Sequence, residues 1–258
     1  MASKINSSLR FGLVASLIAI ILTASLDATG HGKFSAFALI PLIPLFAWLG
    51  NVSRKELGYV VGDQKIYLQA AFIPLLLVAL LSVVAWSTGA MKPTRDEWLS
   101  TLFVISFNSI AGILLVAITE EGFFRGIVWK LMERGGLTRN QTLWSTTALF
   151  VIWHLSAILL SKDYAPALLQ VPIYLVNATL LGLIWGLLRV HSGSIWPSAI
   201  YHSVWNALVY QLFGFGLSSG DLGVEPTWVF GPEIGLAGFV LNGAVVVFLL
   251  RRSSMKNT

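Results

Sequence analysis

The sequence predicts an all-α, polytopic bundle of about eight transmembrane helices with both termini on the cytoplasmic side. Three observations predict it: 56% of the 258 residues are hydrophobic, 11% are charged, and the mean hydropathy is +0.77. A soluble domain of this size has too little core for so much apolar surface, so the solvent must be largely lipid. Apolar runs of about 20 residues, the length that crosses the hydrocarbon core, recur between short polar breaks.

In chain order the runs fall at 11–26, 35–50, 67–88, 99–129, 141–161, 167–188, 195–212 and 234–250. The first follows a basic segment in the manner of a signal peptide. Its apolar run is long for one and no small-residue cleavage site follows, so a retained anchor is expected. The fourth exceeds the length of a crossing, and its end near Trp129 is expected to tilt or project. No linker, repeat or low-complexity tract interrupts the series, which places residues 1–258 in a single transmembrane domain.

Basic residues orient the bundle. With the amino terminus inside, Lys4, Arg10, Arg54, Lys55, Lys65, Lys130, Arg134, Arg139, Arg189, Arg251, Arg252 and Lys256 are cytoplasmic. The opposite side holds Lys33, Lys92, Arg95 and Lys162, and its longest loop carries Asp221, Glu225 and Glu233 without a cation. The positive-inside rule selects this arrangement, and it explains the net charge of +5 without nucleic acid. Trp48, Trp86, Trp98, Trp129, Trp144 and Trp196 lie near span ends, where amphipathic rings settle. Cysteine is absent, which excludes a disulfide framework, thiolate metal sites and a cysteine nucleophile.

Ionisable groups inside such a bundle cost about 2.5–3.5 kcal/mol each, so their positions carry information. They gather in three segments: Thr119 to Arg125 in the fourth span, Phe150 to His154 in the fifth, and His202 to Asn206 in the seventh. Glu121 and Arg125 are four residues apart on one helical face and can neutralise each other. Glu120 points about 100° away, a further carboxylate suited to taking a proton from water. His202 and Asn206 share a face, and His154 reaches the same region from a neighbouring helix. Each element alone has a structural reading: an internal ion pair, a packing histidine, a bridge between helices. Together, in a nearly uncharged bundle, they predict a functional site. Phe150 is read as packing, Asn177 as interhelical glue, and His31 and His191 as loop residues.

At these positions the chain resembles the CPBP intramembrane peptidases, also called the Abi or type II CAAX endopeptidase family. Its Glu-Glu-x-x-x-Arg, Phe-x-x-x-His and His-x-x-x-Asn motifs are met in order by Glu120, Glu121 and Arg125, by Phe150 and His154, and by His202 and Asn206. The run from Leu180 to Asn206 is also similar, so the likeness covers about residues 115–210. The resemblance implies that Glu120 acts as general base on a water held with His154, that Arg125 fixes Glu121, and that His202 and Asn206 donate to an oxyanion. It implies no cofactor. Zinc held by Glu120, His154 and His202 is the alternative, although the HExxH arrangement is absent.

The resemblance further implies a multi-pass hydrolase of a bacterial plasma membrane. Its partners would be lipid and a protein or peptide substrate, prenylated proteins and bacteriocin precursors among the candidates. Two other classes stay open on the residues alone: a proton- or ion-coupled transporter, and a bacteriocin-immunity protein without turnover. Against transport, the chain shows no paired repeats or broken helices in corresponding positions.

Overall fold

The computed structural model describes residues 2–161, 166–216 and 218–255. Lys162 and Lys256 of the charge pattern lie outside these residues. The chain is helical almost throughout: α1 (Ala2–Ala28), a 3₁₀ stretch (Gly32–Leu39), α2 (Leu42–Leu49), α3 (Lys65–Ser87), α4 (Trp98–Ile118), a π-helical turn (Glu121–Val128), α5 (Trp129–Arg134), α6 (Arg139–Leu159), α7 (Val171–Ser192), α8 (Trp196–Leu212), α9 (Thr227–Phe230) and α10 (Leu236–Met255). A two-residue hairpin, β1 (Gly214–Phe215) against β2 (Ser218–Ser219), is the small exception among the described residues.

Six helical stretches are long and apolar enough to cross a membrane: those at Ser7–Ala28, Gly32–Leu49, Lys65–Ser87, Trp98–Arg134, Arg139–Leu159 and Leu168–Ser192. The protein is an integral membrane protein. The seventh and eighth expected spans form helices as α8 and α10, but they are not among the six. Side chains such as Leu99, Phe103, Ile110 and Leu114 on α4 are exposed, which suits a lipid-facing surface.

Local sequence explains several boundaries. Thr138 and Gln141 make a reciprocal capping box that starts α6. Gly193, at φ 70°, ends α7 in the left-handed conformation that glycine adopts without strain.

Tertiary contacts then sort the loops into two ends. At one, Arg134 bonds Gly50 O (2.7 Å) and pairs with Glu56 (2.6 Å), while Arg189 Nε donates to Arg125 O at 3.2 Å. At the other, Arg95 pairs with Asp221 at 2.8 Å and Met91 bridges to Val224. In the middle, α8 packs chiefly against α4 and α3, and α7 chiefly against α10 and α6.

The fourth span departs from the continuous helix expected. It breaks at Thr119 (φ −116°, ψ −103°), then re-forms as the π-helical turn and α5. Tyr59 Oη donates to Ala117 O at 2.8 Å, capping a carbonyl released by the break. A side chain at Gly122 would overlap both Ala117 O and Tyr59 Oη, so only glycine fits beside this capped break. His191 also differs from expectation: it lies in the last turn of α7 and is buried.

Candidate active site

The break aims two adjacent carboxylates in different directions. Glu121 and Arg125 are fully buried and joined at 3.3 Å. Arg125 also donates to Gly182 O at 3.0 Å, and its guanidinium lies 4.6 Å from the Phe150 ring centroid and 5.4 Å from that of Trp185. The ion pair is thus clamped between a carbonyl and two aromatic faces, which limits water that would screen it.

Glu121 Oε1 additionally receives His202 Nδ1 at 3.0 Å. Trp185 stacks on the His202 ring, with centroids 3.7 Å apart and planes 11° apart. These two contacts set both the position and the plane of the imidazole, leaving Nε2 3.8 Å from Glu120 Oε2. From α6, His154 Nδ1 lies 2.9 Å from Phe150 O, one turn back on its own helix. A carbonyl only accepts, so that nitrogen carries the proton and Nε2 keeps its lone pair. His154 Nε2 stands 3.9 Å from the same Glu120 oxygen.

Both separations from Glu120 exceed a direct hydrogen bond. A cavity of about 50 Å³, space for a water or two, lies among Glu120, His154, His202, Asn206 and Glu233. Beside it a groove of about 440 Å³ runs between α4 and α8, lined by Asn108, Gly112, Ser203 and Gln211 and sharing Asn206 and Tyr210 with the cavity. The larger cavity of about 690 Å³, between α2 and residues 51–59, contains none of the carboxylates or histidines of the site.

Residues 101–208 match the family model described as Type II CAAX prenyl endopeptidase Rce1-like. The match supports the likeness to the CPBP family. No curated protein and no solved structure matches the chain. The matched segment contains all six expected site residues, and the family it resembles implies a protease. Glu120, Glu121, Arg125, His154 and His202 stand in one connected cluster, and Asn206 lines the same cavity. Phe150 packs as expected but does more, since its carbonyl fixes His154 and its ring faces Arg125.

Sequence reasoning missed Trp185, Tyr59 and Glu233. Glu233, three residues past the end of α9 and beyond the family match, carries the sequence signature of an outer-loop charge; it is 6% exposed and accepts from Trp205 Nε1 at 2.8 Å. Burial pushes its carboxyl up to about 7. Nothing in the local sequence separates it from a solvated loop acid.

The donor set of Glu120, His154 and His202 is chemically that of a zinc site. Two ligands of one tetrahedral zinc stand about 3.3 Å apart, given metal–ligand lengths near 2.0–2.1 Å. The 3.8 and 3.9 Å separations are wider, and among the described residues no three such groups are placed to hold one metal ion. Zinc would therefore need these side chains to draw together.

Proposed function

We propose that the protein is an intramembrane endopeptidase in which Glu120 activates a water for attack on a peptide bond of a membrane-associated substrate. The observation that carries this reading is the shared approach of His154 Nε2 and His202 Nε2, at 3.9 and 3.8 Å, to one Glu120 oxygen beside a cavity with room for water. A water there gives one proton to Glu120 and directs the other at the His154 lone pair, which leaves an oxygen lone pair free for the carbonyl carbon.

His202 donates to the developing oxyanion when its Nε2 also carries a proton. The ring lies between Glu120 and Glu121, with Arg125 paired to the latter. Asn206, one turn along α8, supplies the second donor. Glu120 then passes its proton to the nitrogen as the C–N bond breaks. The groove between α4 and α8 is the route for an extended peptide, and its position at a lipid-facing helix suits a CAAX prenyl substrate of the kind the family description names.

The test compares membranes carrying wild type or Glu120→Gln for one precursor that stays uncut, followed by kinetics on the purified protein. Gln keeps the shape but cannot take the proton, so the loss is expected in kcat with KM retained. Chelators are expected to leave activity intact. Stoichiometric zinc with chelator-sensitive, zinc-rescued cleavage would overturn the metal-free mechanism, and full activity of Glu120→Gln would overturn the assignment of the base.

A further inference from the structure

Glu233 belongs to a turn that the fold holds in place from several sides. Gln170 Nε2 donates to Ile234 O at 3.4 Å and to Thr227 Oγ1 at 3.1 Å. Asn177 Nδ2, on α7, donates to Gly235 O at 3.3 Å. Asn242 Nδ2, on α10, reaches Pro232 O at 3.3 Å and Asn177 Oδ1 at 3.0 Å. Carbonyls on both sides of Glu233 are thus pinned by buried amides, and Trp205 Nε1 then fixes one carboxylate oxygen. The result is a second carboxylate, after Glu120, on the wall of the reaction cavity.

Glu121 has Arg125, but no Lys, Arg or His among the described residues forms an ion pair with Glu233. A buried carboxylate is costly without a cation, and the amide-pinned turn shows that it is held there by construction. The proposed hydrolysis generates such a cation in the cavity. The water oxygen bonds to the carbonyl carbon, and the C–N electron pair returns to nitrogen as that bond breaks. One water proton reaches the nitrogen through Glu120 and the second leaves the new carboxylic acid, giving a carboxylate and an ammonium.

We propose that Glu233 is the subsite for the leaving amine, its carboxylate accepting hydrogen bonds from the new ammonium while Trp205 orients it. The assignment rests on the peptidase reading and names a specificity that the motif residues do not supply: a free amino terminus on the departing fragment.

The experiment titrates the purified full chain, near neutral pH, with the apolar tripeptide Leu-Leu-Leu and with its N-acetylated form. Wild type is expected to bind the free-amine peptide about ten-fold or more tightly than the acetylated one, the scale of a charge-assisted hydrogen bond. Glu233→Gln, which keeps an oxygen for the Trp205 N–H, is expected to level the two affinities while melting like wild type. Glu120→Gln is expected to keep the preference, which separates Glu233 from the catalytic carboxylate.

Equal binding of the two peptides by wild type, or binding of neither, would overturn the subsite. So would a preference that survives Glu233→Gln or disappears in Glu120→Gln. Should Glu233→Gln not fold, the wild-type and Glu120→Gln titrations decide the matter. Cleavage that depends on Glu120 without an amine preference would sink this inference alone, and an amine preference without any Glu120-dependent cleavage would sink the peptidase reading instead.

Discussion

Arg125→Ala probes whether the buried ion pair holds the fold as well as the site. Arg125 is fully buried, so its removal strands Glu121 beside His202 and deprives Gly182 O of a donor. Losing one partner of a buried pair costs about 3–5 kcal/mol. For a chain of this size each kcal/mol corresponds to roughly 2–4 °C of melting temperature, so a fall of about 6–20 °C is expected. The assay is thermal unfolding in one detergent at matched pH, with expression level as a second readout.

The double variant Glu121→Gln with Arg125→Met removes both charges and retains apolar volume over Phe150. It is expected to recover part of the loss but not all, because Gly182 O remains without its donor, at about 1–3 kcal/mol. Arg125→Ala melting within a degree or so of wild type would refute the reasoning. A double variant less stable than the single one would refute the claim that the uncompensated charge is the cause.

Asn206→Ala is expected to lower kcat by about 10²- to 10³-fold with little change in melting temperature, measured on the substrate found by comparing membranes. His202→Ala should cost as much activity and also lower the melting temperature, since Glu121 loses its 3.0 Å partner. Gly122→Ala should destabilise by about 1–3 kcal/mol, because its methyl group overlaps Ala117 O and the capping Tyr59 hydroxyl; unchanged melting would show that the break does not depend on that close approach. The Ser53 backbone N–H, aided by Arg134, holds the Glu56 carboxyl at about 2, below its usual 4.5. A depressed folded-state value contributes stability above 4.5 that is lost as pH falls toward 2, so melting should drop over that window and Glu56→Gln should flatten the drop.

Hydropathy was sufficient to predict an all-helical membrane bundle because every backbone polar group in lipid must be satisfied within its own segment. The eight apolar runs all appear as helices for that reason. The central cluster was legible through spacing. Glu121 with Arg125, and His202 with Asn206, are separated by one helical turn, and charge is scarce enough in such a bundle for the three segments to stand out. The Glu121–Arg125 contact survives the change to a π-helical turn because four residues still bring the two side chains to nearly the same face.

What the sequence did not determine depends on groups far apart in the chain. The break at Thr119 is capped by Tyr59, 58 residues before the carbonyl it bonds, so the fourth span looked continuous. Asn177 does serve as interhelical glue, but its target, the turn at Gly235, became visible only when α7 and α10 were packed together. Glu233 shows the same limit most clearly. A glutamate among Gly231, Pro232 and Gly235 has the local signature of a solvated loop, and buried amides from Gln170, Asn177 and Asn242 turn it inward instead. Local composition therefore determined which segments enter the membrane and which polar residues are exceptional there, whereas long-range hydrogen bonds decided where those residues point.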